Sequence, residues 1–131
     1  MADAAEVTRY ARTLAGLTVA TLVPNARGAE NALAAGAQQL SMPISVSRSH
    51  NAANIRKTHD QSIEELKKVR ALADALPRGT QLSVLVDESG LRQHAGRAAD
   101  TELRLTQRRA AWQRLLHDLS LPAPRFIDLA T

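Results

Sequence analysis

Residues 19–40 read VATLVPNARGAENALAAGAQQL, and the fold turns on how this stretch is read. An apolar run stops at Pro24-Asn25. An alanine- and leucine-rich stretch, Arg27 to Ala35, follows, and Gly36 supplies a C-terminal stop. Leu17 to Val23 has the length and β-branched content of a strand buried on both faces. Strand, polar corner and helix in that order place Pro24-Asn25 where ligands are commonly held.

Reading outward from this stretch extends the pattern. Leu40, Met42, Ile44 and Val46 alternate with Ser41, Pro43, Ser45 and Ser47, the period of a strand. Pro43 argues against a central strand, because it has no N–H for the ladder. Ser47 to Asn51 reads as a polar corner. From Asn54 onward, Ile55, His59, Ile63, Leu66, Val69, Ala73 and Leu76 trace one helical face. Thr58 with Gln61, or Ser62 with Glu65, can restart that helix if it breaks near His59. Pro77-Arg78-Gly79 ends it, and a third strand is expected at Gln81–Val86. Toward the N-terminus, Asp3 to Glu6 reads as a capping box. Val7, Tyr10, Ala11 and Leu14 then make an apolar helical stripe, which Gly16 closes.

Strands separated by single helices imply right-handed crossovers and a parallel sheet. Ligands in such sheets sit at the carboxyl ends of the strands. Pro24-Asn25 and the Ser45 to Asn51 corner therefore fall on one rim. Three strands also leave two open edges, which invite self-association.

Composition narrows the function classes. The 131 residues are one domain by length, 44% hydrophobic but only 2% aromatic, so the core is built from Leu, Val, Ile and Ala. There is no cysteine, which excludes disulfides, thiolate metal sites and a catalytic thiol. No apolar run reaches membrane-spanning length, and the acidic start lacks the regions of a signal peptide. A cytoplasmic protein is expected. The net charge is +4 and the pI about 10.3. The basic residues are scattered among acids, and only one Trp, one Tyr and one Phe could stack on bases, so nucleic acid is not the expected partner.

The stretches LVPNARGAENALAAGA (22–37) and ISVSRSHNAANIRKTHDQSIEEL (44–66) resemble hydroxymethylglutaryl-CoA lyase, of the pyruvate carboxyltransferase-like TIM-barrel family. A strand ending in Pro-Asn, a helix closing on Ala-Gly-Ala, a Ser-x-Ser corner and a Ser-Ile-Glu-Glu turn follow in the family's order. The resemblance covers about residues 4–82. It implies an α/β fold: a partial (β/α)8 TIM-barrel segment, about strands three to five with their helices, to which the sequence adds a C-terminal helix. It implies metal-dependent carbon–carbon lysis of an acyl-CoA substrate to acetyl-CoA and acetoacetate, with a divalent cation, Mg or Mn, polarising the substrate. Asn25, Ser45, Ser47 and His50 would line the substrate.

Each of these residues has a plainer reading beside that one. Asn25 also suits a helix N-cap. Ser45 and Ser47 suit small side chains packed against a helix, and His50 a solvated loop histidine. His59 lies on the apolar stripe as a partly buried residue. Glu64, Glu65, Lys67 and Lys68 read as a solvated helix face.

The departures matter as much. The family's first-strand Arg-Asp segment, its His-x-His pair and its catalytic cysteine have no counterpart, and His50, His59, His94 and His117 form no such pair. No catalytic residue and no metal ligand are therefore assigned. Such barrels need about 250 residues. The boundary is set at 1–86 for the barrel-like region and 87–131 for a tail with seven arginines and no lysine. Asp87-Glu88 has no partner in the sequence. One helix is expected in the tail, Arg104 to Leu119, with Leu105, Arg109, Trp112, Leu115, Leu116 and Leu119 as its stripe. The change of composition reads as a truncated, frameshifted or replaced ending. Two functions remain: a lyase-like chain inactive alone, or a small α/β protein docking an acidic partner through Arg104–Arg114.

Overall fold

The computed structural model describes residues 3–76, 80–88 and 98–127. The elements run α1 (Ala4–Arg12), β1 (Ala20–Leu22), α2 (Ala26–Ala34), β2 (Gln39–Ser45), α3 (Arg48–Ile55), α4 (His59–Asp74), β3 (Gln81–Asp87), α5 (Ala98–Asp118) and β4 (Pro124–Ile127). The strands form one parallel sheet in the order β1-β2-β3-β4. Each strand lies beside its predecessor, as in a barrel wall, and the order never reverses as it does in a doubly wound sheet.

The helices cover one face. Leu40, Met42 and Ile44 of β2 and Val84 and Val86 of β3 are fully buried against Ile63, Leu66 and Val69 of α4 and Leu116 of α5. Each such Leu, Ile or Val contributes about 1.5–3 kcal/mol by leaving water. The other face carries Leu22, Ser41, Pro43, Ser83 and Leu85, of which Leu22 is 62% exposed.

Pro43 sits in β2, the strand expected over Leu40–Val46, and that strand is interior although its proline argues for an edge. The reason is local. Val23 N–H donates to Ser41 C=O, whereas Val46 N–H donates to Asp87 C=O, so odd-numbered residues of β2 direct their main chain toward β1. By the register of Gln39 N–H to Val19 C=O, the donor that Pro43 lacks is the one that would reach Val23 C=O, so the proline sits where the β1–β2 ladder stops and interrupts no later bond to β1.

Other expectations are corrected. Asp3 makes no side-chain cap, because its backbone is already helical (φ −97°, ψ −3°). The apolar stripe of α1 is not buried: Val7 and Tyr10 are 60% and 67% exposed, while Thr8 on another face is buried. The Ser47–Asn51 corner is the start of α3, with Ser47 as its N-cap. The long helix does break before His59: Arg56 takes a left-handed conformation (φ 53°), and Thr58 and Gln61 form the capping box that begins α4. Pro77–Gly79 lies outside the described residues.

A fourth strand, β4, was not read from the sequence. Pro124 opens it, and Glu88 N–H donates to Ile127 C=O, so Pro124's nitrogen turns away from β3, where a proline is tolerated. The tail helix extends beyond Arg104–Leu119 at its start. Leu105 and Leu116 are buried, and Trp112 and Leu119 pack on the core. Leu115, read as part of the stripe, is 42% exposed.

Candidate functional site at the carboxyl ends of the strands

A cavity of about 660 Å³ opens at the carboxyl ends of β1 and β2. Asn25, Pro43, Ser45, Asn51 and Asp87 line it, and Thr8 of α1 closes one side.

Asn25 is the N-cap of α2. Its backbone is extended, and Oδ1 accepts from Gly28 N–H at 2.7 Å. Both readings of this residue therefore hold in geometry: it caps the helix and it borders the cavity. Gly28 permits the cap, since a Cβ there would lie 3.3 Å from Asn25 Oδ1 and 3.2 Å from Pro24 Cδ. A second residue completes the same helix start from outside: Glu65 Oε2 accepts Ala26 N–H at 2.9 Å. That hydrogen bond holds the Glu65 carboxyl below its ordinary value; burial opposes this, and Lys68 and Lys57 reinforce it. Glu65 is thus not part of a solvated face, as the sequence suggested, but a brace between α4 and α2.

Ser45 ends β2 and is buried. Its N–H donates to Asn51 Oδ1 at 3.0 Å, and its C=O lies 2.7 Å from His59 Nε2. Asn51, fully buried, donates from Nδ2 to Lys57 C=O and to Ser62 Oγ. His59 also stands edge-on to Trp112, ring centroids 5.6 Å apart. Two side chains thus satisfy the main chain of Ser45 where β1 no longer reaches.

Ser47 does not border the cavity. Its Oγ accepts His50 N–H at 3.3 Å as the cap of α3 and lies 3.0 Å from Ser49 Oγ. His50 is half-buried, with Nε2 3.9 Å from Asp87 Oδ2, and Asp87 is 1% exposed. The structure thus gathers Asn25 and Ser45 around the cavity, sets His50 next to Asp87, and diverts Ser47 to capping. In the sequence Asn51 reads only as the end of the rim corner and Asp87 only as half of an acid pair; neither is assigned to the site. Asp87 could have been found from its place, one residue past the expected third strand and hence on the same rim.

Glu88, next along, faces α5. Arg109 donates Nε and Nη2 to its two carboxylate oxygens, both at 2.6 Å, and its guanidinium lies over Phe126. This bidentate pair supplies the partner that the sequence did not show for Glu88.

Among the described residues no three His, Asp or Glu side chains converge on one point. His50 and Asp87 offer two donors, fewer than a hard divalent cation requires, so these residues do not by themselves complete a cation site. Among the described residues no helix is long and apolar enough to cross a membrane.

No family model matches the chain. It is 42% identical over 67 residues to the hydroxymethylglutaryl-CoA lyase YngG of Bacillus subtilis (strain 168), an alignment covering 51% of this chain and 22% of that protein. Among solved structures, the HMG-CoA lyase of Brucella melitensis superposes with a TM-score of 0.56 at 35% identity, over 70% of this chain and 31% of that one. The B. subtilis lyase superposes with a TM-score of 0.57 at 26% identity, over 89% and 45%. The Acinetobacter baumannii lyase, solved with coenzyme A and 3-methylmalate, gives 0.63 at 24% identity, over 91% and 36%. The chain spans less than half the length of each of these proteins.

Proposed function

From this premise, that the chain resembles part of hydroxymethylglutaryl-CoA lyase and folds as a partial TIM barrel, we propose that it carries part of an acyl-CoA-binding rim. By itself it does not cleave a carbon–carbon bond. The observation that carries this reading is the cavity at the strand ends, where Asn25, Ser45 and Asp87 meet.

The chemistry follows from what the residues hold. Asn25 is fixed by Gly28 N–H through its oxygen, which leaves its amide NH2 to donate to a thioester or carboxylate oxygen. Arg27, exposed at the mouth of the cavity, adds positive charge for an anionic substrate. Asp87, with the His50 imidazole beside it, places one carboxylate on the rim, where sequence reasoning had placed none.

Splitting a 3-hydroxy thioester needs the hydroxyl proton removed and the growing enolate charge offset. A divalent cation supplies that second role in lyases of this kind, and the two donors here are too few to hold one. No step is therefore assigned through a metal. Docking an acidic partner through Arg104–Arg114 has less support, because Arg109 is bound to Glu88 and lies over Phe126.

The test pairs a coupled acetyl-CoA release assay, with Mg or Mn present, with calorimetric titration of acetyl-CoA. No turnover above a metal-free blank is expected, together with weak binding that falls in Asn25→Ser. That variant keeps the helix cap and loses only the amide donor. Turnover abolished by chelation would overturn the inactivity, and titration heat identical to buffer would overturn the rim.

A further inference from the structure

The sheet has four parallel strands in consecutive order, helices on one face and no cover on the other among the described residues. A (β/α)8 barrel has eight strands in that same order, so this sheet is half of one. Its edges are complementary in direction. Ala20 and Leu22 of β1 turn their main chain away from β2; on β4, Phe126 turns both N–H and C=O away from β3, and Pro124 only its C=O. Open edges of this kind are templates for pairing.

The β1 side is also apolar. Leu22 is 62% exposed, and Val7, Tyr10, Leu14 and Leu17, on α1 and the segment leading into β1, are each at least 42% exposed. Large apolar side chains left exposed on neighbouring segments suit an interface.

We infer that two copies of this chain close into one eight-stranded barrel, the β4 of each lying beside the β1 of the other. A second copy offers both edges in the required polarity, and head-to-tail pairing closes after two because four strands and four make eight. Closure sets α1 of one copy beside α5 of the other, as consecutive helices of the outer layer. Charge complements only at the start of α1, where exposed Asp3 and Glu6 would meet the arginines of α5 (Arg104, Arg108 and Arg114 are exposed); the last turn of α1 carries exposed Arg9 and Arg12. The cavity is incomplete without the partner: Thr21, Leu22 and Pro24 wall it up to the β1 edge, where the second copy's β4 would continue the rim. The closed mouth then carries Asn25, Ser45, His50 and Asp87 twice. This inference rests on the fold and not on acyl-CoA binding, so failure of one leaves the other standing.

The first measurement is light scattering on the full chain eluting from a sizing column at tens of micromolar. The expected mass is twice the 14.2 kDa of one chain. A monomer, or an open series of larger species, would overturn the inference. The chain has no cysteine, so a designed pair gives a clean second readout. Ala20→Cys with Arg125→Cys, both exposed and on the uncovered face, is expected to oxidise to a covalent dimer and stop there, with either single variant uncrosslinked. A ladder of multimers, or bonds within one chain only, counts against closure. Leu22→Pro removes an outward N–H and no bond to β2. It is expected to give a monomer with unchanged helical circular dichroism, and a dimer undiminished by it would refute the edge pairing.

Discussion

Asn51 Oδ1 accepts the backbone N–H of Ser45 at 3.0 Å, where β2 runs past the end of β1. In a full ladder a strand neighbour would take that N–H. Here an amide from the first turns of α3 replaces it, and the same side chain donates to Lys57 C=O and Ser62 Oγ. A single buried residue therefore joins the rim to the start of α4.

Replacing it should be costly. Asn51→Ala strands three polar partners, of which the Ser45 N–H and Ser62 hydroxyl are buried and the Lys57 carbonyl is part-buried; each buried one costs about 1–3 kcal/mol when left unpaired, partly offset if water enters. A net loss of about 3 kcal/mol is expected, read as a lower urea midpoint at unchanged slope. Asn51→Asp keeps the acceptor but sets a buried carboxylate against the Lys57 carbonyl, and it should be no better. A loss under about 1 kcal/mol in both variants would show that the rim is held by something else.

Glu65 gives the fold an acid-sensitive joint. Its folded-state value lies below the ordinary 4.5, first because Ala26 N–H donates to it. A depressed carboxylate stabilises the fold at pH above its unfolded value, and that contribution is lost as pH falls through the folded value. Glu65→Gln should therefore cost about 1 kcal/mol at pH 7, the scale of a helix-terminus interaction, and progressively less below about pH 4.5. Paired urea titrations at several pH values check this, and a gap between the two proteins that widens in acid would contradict it.

The Arg109 fork on Glu88 should distinguish arginine from lysine. Arg109→Lys keeps the charge but loses one of two parallel bonds and the flat contact with Phe126. Because Arg109 is 38% exposed, solvent screening holds the expected cost to about 1 kcal/mol, and Arg109→Ala, which leaves Glu88 buried and unpaired, to about 2 kcal/mol. Equal midpoints for Arg and Lys would mean that the bidentate geometry contributes nothing.

Much of the fold was legible because its signals are local. The alternation of Leu40 to Val46, the Ala-rich α2 and the Thr58–Gln61 box each depend on residues within one turn or one strand. What stayed hidden depends on distant partners. Nothing near Glu65 says that it will brace Ala26, thirty-nine positions away. The stripe on α1 reads as buried, yet what would cover it lies beyond β1, outside this sheet. Pro124 looks like a terminator until β3 is seen to leave a strand-shaped place beside it. The strand-end rule put Asn25 and Ser45 on one rim, where the cavity opens, whereas Asp87 was set aside as half of an acid pair because Glu88's partner, Arg109, comes only in the tail.

The division at residue 86 proposed from sequence makes a measurable claim about cooperativity. If residues 87–131 were a separate unit, α5 would melt apart from the sheet. The packing points the other way: Leu105 and Leu116 are buried, Trp112 stands against His59 of α4, and β4 pairs with β3. Trp112 is the single tryptophan, so its fluorescence reports the packing of α5 on α4, while far-UV circular dichroism reports the helices together. Coincident urea transitions by the two probes are expected, the signature of one cooperative unit. Leu116→Ala should shift both together, by about 2–5 kcal/mol, as a large-to-small change at a fully buried site. A fluorescence transition that precedes the circular-dichroism transition, or a Leu116→Ala variant that moves only the fluorescence, would instead show that the tail unfolds apart from the sheet.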